Sequence, residues 1–74
     1  MARNFSGRRL QSERLAAGLS REHIAVAVHR SAHSVREYEW GRVTPTVPTL
    51  AGIADLLGCP IDRFFEEVGD AVAA

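Results

Sequence analysis

The sequence predicts an all-α fold, a compact bundle of five short helices in one small domain. Apolar residues recur at helical spacing, and no segment alternates between apolar and polar residues as a half-buried strand does. Serines or threonines that can cap a helix, and glycines that can end one, divide the chain into short segments. The apolar and charged fractions, 46% and 24%, are typical of a globular domain and not of a disordered chain.

The first two helices are expected to begin at serines. Ser6 caps the first helix, which should run to about Ala17 and end where Gly18 takes the left-handed conformation. Ser20 caps the second helix. The inward-facing residues of the second helix are Ile24, Ala25 and Val28. A tight break at His29 then ends this helix.

The later segments follow the same pattern. Ser31 caps a third helix that ends near Trp40, and a loop follows. Thr46 caps the fourth helix, which ends at Gly58. Pro60 opens a fifth short helix. Its apolar residues are Ile61, Phe64, Phe65 and Val68. These boundaries leave an N-terminal arm at residues 1–5, a domain at residues 6–68 and a C-terminal tail at residues 69–74.

A formal net charge of zero conceals two oppositely charged halves. Residues 1–42 hold eight of the nine arginines against four acidic residues, whereas residues 43–74 hold one arginine against five acidic residues. This division predicts a basic face suited to a polyanion, although ordinary helix surfaces can also produce it.

Membrane insertion and secretion are not expected. The longest apolar run, Ile24–Val28, is far shorter than the roughly 20 residues that a membrane-spanning helix needs. No apolar stretch follows Arg3 as a signal peptide requires. The single cysteine, Cys59, cannot form an internal disulfide and is expected to be a small buried apolar residue. We therefore expect a cytoplasmic protein.

The stretch from Ser20 to Gly41 has the proportions of a helix-turn-helix, whose second helix enters the major groove of DNA. Periodicity directs Val35, Tyr38 and Glu39 of the third helix toward the core. The opposite side carries Ala32, His33, Arg36, Glu37 and Trp40. Arginine pairs with guanine, glutamate accepts from cytosine and alanine meets the thymine methyl group, so this side is suited to base edges. A solvated helix surface is the alternative interpretation.

These residues resemble the phage repressor and Cro type of helix-turn-helix domain, the XRE family, also described as lambda-repressor-like DNA-binding domains. The resemblance covers about residues 6–67. It rests on the ordered segments Leu19–Ala25, Ser31, Val35, Tyr38–Glu39, Gly41, Pro45, Ile53–Gly58 and Ile61–Phe65. It implies a transcriptional regulator that binds double-stranded DNA sequence-specifically, with a recognition helix at about residues 32–40. Family members commonly bind inverted repeats as two-fold dimers, so the resemblance also implies a homodimer.

The resemblance further implies roles for single residues. Base contacts fall on the outward side of the third helix, at Ala32, His33 and Glu37, and the periodicity of that side adds Arg36 to them. Phosphate contacts fall at Arg21, Arg42 and Thr44. We also expect them at Ser31 and at Arg30, which replaces a small apolar residue of the family and either changes the packing of the turn or adds a phosphate contact. Arg14 and Glu39 match a pair that is buried between the first and third helices in family members. We interpret this pair as structural, because it would orient the recognition helix without touching DNA.

The sequence departs from the family pattern at several positions. His29 replaces the usual glycine of the turn, and histidine tolerates a positive φ better than most residues, although at a cost. Trp40 replaces a small polar residue. We expect its ring to cover the edge of the core, with stacking in a partner interface or beside the DNA backbone as alternatives. Val26 and Ala27 make the outer side of the second helix apolar, which suits self-association or a partner.

A second class of function remains open, namely a protein-interaction module such as an antitoxin or an accessory factor that docks another regulator. The neutral overall charge, Glu37 on the recognition side and the apolar surface at Val26 all fit it. Salt dependence separates the two hypotheses, because binding through phosphates weakens steeply as salt rises and an apolar interface does not.

Catalytic chemistry is not predicted. The sequence has no recognisable nucleophile and base set, phosphate-binding glycine loop or paired-carboxylate motif. His29, His33 and Glu37 have a spacing that suits a metal, but one of these three lies in the turn and the signal is weak. We expect no enzyme activity, no cofactor, no metal and no small-molecule substrate.

Overall fold

The computed structural model describes residues 3–67. Within this part of the chain it contains four α-helices, one 3-10 turn and a two-stranded antiparallel sheet. In chain order the elements are β1 (Arg3–Phe5), α1 (Gly7–Ala16), α2 (Arg21–Ala27), α3 (Ala32–Glu39), α4 (Val47–Leu57), the 3-10 turn (Ile61–Phe64) and β2 (Phe65–Glu67).

The four helices begin and end at the predicted residues. The side chain of the residue that caps the N-terminus of each helix accepts a hydrogen bond from the backbone N–H three residues further on, at 3.0–3.4 Å. These capping residues are Ser6, Ser20, Ser31 and Thr46. Three glycines with φ between 70° and 77° follow the helices α1, α3 and α4. They are Gly18, Gly41 and Gly58. The capping chemistry therefore predicts these helices to within one or two residues.

The predicted fifth helix is wrong. The segment after Pro60 makes only one 3-10 turn, and Phe65 then adopts an extended conformation with φ −117° and ψ 149°. Phe64 is fully buried, and its carbonyl oxygen accepts a hydrogen bond from the backbone N–H of Ser6 at 2.7 Å. Backbone groups of this segment therefore form hydrogen bonds with residues near the start of the described chain. These bonds satisfy groups that would otherwise be paired within a helix.

The expectation that the chain has no strand is also wrong. β1 and β2 pair in antiparallel register, with Arg3 opposite Glu67 and Phe5 opposite Phe65. The rings of Phe5 and Phe65 meet edge to face, with centroids 6.3 Å apart. β1 occupies part of the segment expected as an N-terminal arm. Val68 and the expected tail at residues 69–74 lie outside the described residues.

All four helices and the 3-10 turn contribute to one core. Its fully buried side chains are Leu10, Ile24, Val35, Leu50, Ile53 and Phe64. On α3 the predicted inward side is confirmed, because Val35, Tyr38 and Glu39 are all buried. No helix among residues 3–67 is long and apolar enough to cross a membrane.

A glycine brings α1 and α3 into contact. A Cβ atom at Gly7 would overlap the backbone carbonyl oxygens of Tyr38 and Glu39. Only glycine lets the first turn of α1 approach the last turn of α3 this closely. This contact fixes the end of α3 against the rest of the domain and leaves its other side exposed.

Candidate nucleic-acid interface

The break between α2 and α3 depends on His29. Its φ is 59°, and it is the only non-glycine residue with positive φ among residues 3–67. The backbone N–H of Arg30 donates to the carbonyl oxygen of Ala25 at 2.9 Å, which closes the end of α2. Ser31 then caps α3 immediately. The left-handed residue expected at the turn is confirmed, and it sets the direction in which α3 leaves the turn.

A buried carboxylate ties three parts of the fold together. Arg14 donates to Glu39 from Nε to Oε2 at 2.6 Å and from Nη2 to Oε1 at 3.2 Å. Arg14 also donates from Nη1 to the carbonyl oxygen of Leu19 at 2.9 Å. Arg21 adds a third contact to the carboxylate, from Nε to Oε1 at 2.9 Å. The Glu39 side chain is 0% exposed. One anion therefore joins α1, the start of α2 and the end of α3.

Arg21 belongs to this network and also to the surface. Its side chain is 32% exposed, whereas that of Arg14 is only 8% exposed. Two guanidinium groups face one carboxylate, so the network of Arg14, Arg21 and Glu39 itself carries one positive charge. Phosphate contact was expected at Arg21, and the sequence contained no signal for its bond to Glu39.

Two shallow clefts flank the outward side of α3. The first is lined by Arg21, Glu22, Ala32, His33 and Arg36. It brings Arg21, which we expect to contact phosphates, together with Ala32, His33 and Arg36, which we expect to contact bases. The second cleft is lined by Arg30, His33, Ser34, Glu37, Tyr38 and Val43. His33 is shared by both clefts and therefore lies on the ridge between them.

The remaining expected phosphate contacts lie at the two ends of α3. Arg30 and Ser31 are exposed before its first turn, and Arg42 and Thr44 are exposed in the loop after Gly41. The hydroxyl of Ser31 already accepts from the backbone N–H of Ser34 at 3.0 Å. It thus has a structural role as the cap of α3.

Trp40 is exposed, and the expectation that it covers the edge of the core is wrong. Its residue exposure is 55%, and two guanidinium groups lie over its ring. The Cζ atoms of Arg36 and Arg42 are 5.4 Å and 4.9 Å from the ring centroid. The i, i+4 spacing of Arg36 and Trp40 was a sequence signal for the first contact, and nothing in the sequence indicated the second.

The outward side of α3 carries two further polar contacts. Nη2 of Arg36 lies 3.3 Å from Nδ1 of His33. Nη1 of Arg42 lies 3.8 Å from Oε2 of Glu37, whose side chain is 17% exposed. Arg42 thereby offsets the one carboxylate on this side of the helix, which would otherwise repel a polyanion.

Other chemistry has little support in the described part of the chain. Among residues 3–67, no group of three His, Cys, Asp or Glu side chains is arranged to hold a metal ion. Cys59 is half-buried against the core. Burial raises the pKa of its thiol, Glu13 raises it further and Arg63 opposes the shift. The neutral thiol is therefore favoured over the nucleophilic thiolate.

Known proteins are similar to this chain in sequence or in fold. An uncharacterized HTH-type transcriptional regulator of Rickettsia conorii is 35% identical over 68 residues, which are 92% of this chain and 54% of the relative. The chain spans about half the length, or less, of the curated relatives it matches. The P22 c2 repressor in complex with a synthetic operator superposes with a TM-score of 0.75 at 18% identity, over 82% of this chain and 92% of that one.

A second solved structure is similar to the same extent. The restriction-modification controller protein C.AhdI from Aeromonas hydrophila superposes with a TM-score of 0.73 at 26% identity, over 78% of this chain and 88% of that one. A family model described as a helix-turn-helix domain matches residues 7–64, from the first turn of α1 to the end of the 3-10 turn. The chain belongs to the helix-turn-helix domain family.

Proposed function

We propose that this chain binds double-stranded DNA sequence-specifically as a transcriptional regulator, with α3 in the major groove. The observation that carries the proposal is the composition of the outward side of α3. Its clefts combine hydrogen-bonding side chains suited to base edges with Arg21 and Arg30, and the exposed Arg42 follows the other end of the helix. The Rickettsia conorii relative is named as a transcriptional regulator. In this proposal the chain is a cytoplasmic binding module and not an enzyme.

The contacts divide into two groups. Ala32, His33, Arg36 and Glu37 face base edges in the proposed complex. Arg21, Arg30, Ser31, Arg42 and Thr44 face phosphates on either side of the groove. Arg14 and Glu39 hold α3 in place and touch no DNA. This division is supported by burial, because the Arg14 side chain is 8% exposed and that of Arg42 is 65% exposed.

We further propose that two copies bind an inverted repeat, with half-sites about 34 Å apart along the duplex. An apolar fifth helix would offer Phe64 as one possible dimer contact, but Phe64 is fully buried and is therefore not available. The outer side of α2 remains a candidate, because Val26 is 76% exposed and lies beside His23 and Ala27 in a shallow apolar depression. The same depression favours the second candidate function, a protein-interaction module.

Selection of bound duplexes from a random pool, at moderate salt, tests the proposal. Enrichment of an inverted repeat is the expected result, and the spacing of its halves reports the dimer. If the folded chain enriches no motif, sequence-specific DNA binding is rejected and the protein-interaction module takes its place. The second candidate then predicts retention on a partner at high salt, because an apolar contact is insensitive to ionic strength.

Arg21→Ala and Glu37→Ala test the division into phosphate and base contacts. Arg21→Ala should weaken binding of all duplexes alike and make the salt dependence of log Kd shallower by about one unit per protomer. Glu37→Ala should instead change the preferred base at one position of each half-site. If neither variant alters binding of the selected duplex in a fluorescence anisotropy titration, the docking face is wrong.

A further inference from the structure

An exposed tryptophan ring contacts two arginines at the end of α3. Trp40 is the only tryptophan of the chain, and its exposure of 55% shows that the core does not need it. The guanidinium carbons of Arg36 and Arg42 lie 5.4 Å and 4.9 Å from the ring centroid. Both distances fall within the roughly 6 Å range over which a cation is attracted to an aromatic face.

The ring lies at the centre of a series of side-chain contacts along the proposed DNA-binding side. Arg36 extends from the ring to His33, with Nη2 and Nδ1 3.3 Å apart. Arg42 extends from the ring to Glu37, with Nη1 and Oε2 3.8 Å apart. Each arginine is therefore held from two directions. Three of the four side chains proposed to face bases, His33, Arg36 and Glu37, belong to this series of contacts.

We propose that Trp40 is a positioning residue of the DNA interface, which holds Arg36 toward base edges and Arg42 toward the adjacent backbone. This inference rests on the proposed function. A free arginine has many rotamers and loses them when it binds, whereas a stacked arginine has lost part of that freedom already. The planar guanidinium of Arg36 is then prepared for the bidentate contact that arginine makes with guanine.

Arg42 gains a second role from the same ring. Without the ring, its attraction to Glu37 would be the remaining contact that directs the side chain, and that contact is long at 3.8 Å. With the ring, its charge stays at the end of α3, where it offsets the Glu37 carboxylate and remains exposed to a phosphate. Trp40 thus keeps the guanidinium groups of both Arg36 and Arg42 close to the end of α3.

Trp40→Leu is the variant that tests this inference, because it keeps an apolar side chain and removes the aromatic face. We expect the Kd for the selected duplex to rise about 5- to 30-fold, because two arginine side chains would then lose rotamer freedom on binding. Trp40→Phe, which keeps a weaker aromatic face, should lie between Trp40→Leu and the unaltered chain. Leu15→Ala is the matched control, since Leu15 is also exposed, at 61%, and lies on α1, outside the two clefts beside α3.

A double-mutant cycle with Arg36→Ala separates positioning from a general structural effect. In the Arg36→Ala background, Trp40→Leu should cost clearly less than in the unaltered chain, because one of its two partners is gone. Trp40→Leu should also relax the preference for guanine at the base pair that Arg36 faces. Thermal unfolding followed by circular dichroism checks that each variant is folded. If Trp40→Leu does not fold, the same comparison is made with Trp40→Phe.

The outcomes distinguish this inference from the proposed function. If the unaltered chain selects a duplex but Trp40→Leu and Trp40→Phe bind it with unchanged Kd and unchanged base preference, the positioning role is rejected and the proposed function stands. Equal losses from Trp40→Leu with and without Arg36 would also reject coupling between the two residues. If the unaltered chain selects no duplex, the proposed function itself fails.

Discussion

At the scale of single residues, Glu39 has the largest expected effect on stability. Its carboxylate is fully buried and accepts from both Arg14 and Arg21. Glu39→Gln would leave the buried Arg14 guanidinium without its counter-charge, which costs about 3–5 kcal/mol in comparable cases. We expect the free energy of unfolding, measured in urea, to fall by that amount.

Glu13→Gln provides the matched control for this prediction. Glu13 pairs with Arg63 at 3.2 Å, but the arginine side chain is 59% exposed and that of the glutamate is 27% exposed. Solvent screens this pair, so its loss should change the free energy of unfolding by at most about 1 kcal/mol. Equal effects of the two substitutions would show that the Glu39 network contributes no more than an ordinary surface pair.

The thiol of Cys59 provides a second prediction at this scale. Burial raises its pKa in the folded chain, so the unfolded chain releases the thiol proton at lower pH. The free energy of unfolding should therefore fall as pH rises through and above the ordinary thiol pKa, and the alkylation rate of the folded chain should rise at higher pH than that of the urea-unfolded chain.

The single cysteine makes the measurement unambiguous, because iodoacetamide has no other thiol to modify. Cys59→Ser reports the background reaction and should show no such pH profile. A folded-chain profile with its midpoint at or below that of the unfolded chain would contradict a raised pKa. It would indicate that Arg63, and not burial, dominates the environment of the thiol.

The residue scale also shows what the sequence could and could not predict of the site. The outward side of α3 follows from periodicity, because one helix with three buried residues leaves the opposite side exposed. The contact of Arg21 with Glu39 joins residues 18 positions apart on different helices. Periodicity describes neighbours within one helix, so it contains no information about such a contact. The position of Arg42 over Trp40 depends likewise on the loop that follows α3.

At the scale of elements, the turn between α2 and α3 is held by a strained residue. His29 has φ 59°, a conformation that costs an L-residue about 1–2 kcal/mol. His29→Gly removes this cost and adds some entropy to the unfolded chain. We expect a net gain of about 0.5–1 kcal/mol in the free energy of unfolding. Urea unfolding of the purified variant measures it.

Arg30→Gly is the control for the turn. Arg30 is the next residue and is exposed, but its φ is not positive, so glycine relieves no strain there. This variant should lose stability, because glycine raises the entropy of the unfolded chain. A loss of stability in His29→Gly as large as that in Arg30→Gly would show that the imidazole of His29 makes a contact worth more than the strain.

The elements differ in how well the sequence predicts them. Each of the four helices has a cap and a stop that lie within a few residues of it, and both are visible in a local window. The strands pair residues 60 or more positions apart, such as Phe5 with Phe65. The spacing of Ile61, Phe64 and Phe65 suits a helix, and only the long-range pairing makes the extended conformation better. Tertiary contacts therefore decide the ends of the fold.

At the scale of the whole molecule, ion pairs reduce the positive charge that the number of arginines in residues 1–42 suggests. Residues 1–42 contain eight arginines, but Arg3 lies 3.9 Å from Asp62, and Arg14 and Arg21 share Glu39. The positive charge available to DNA is thus smaller than the count implies. With Arg21, Arg30 and Arg42 as the proposed phosphate contacts, log Kd should change with log salt by a slope of about 3 per protomer.

The salt titration checks this estimate on the selected duplex between low and moderate salt. A slope near 7 per protomer, as expected if almost every arginine of residues 1–42 met a phosphate, would contradict the assigned pairs. A slope near zero would contradict the three proposed phosphate contacts, because neutralisation of phosphates always releases counterions. The number of protomers on the duplex is fixed beforehand by sedimentation equilibrium.

The central claim is that the outward side of α3 determines which DNA sequence is bound. Parallel selection from one random duplex pool, with the unaltered chain and with Arg36→Ala, tests it most directly. We predict that the unaltered chain enriches an inverted repeat, and that Arg36→Ala loses the preference for guanine at one symmetric pair of positions while the rest of the motif persists. An identical motif from both chains at equal enrichment would contradict the claim and move the docking face away from α3.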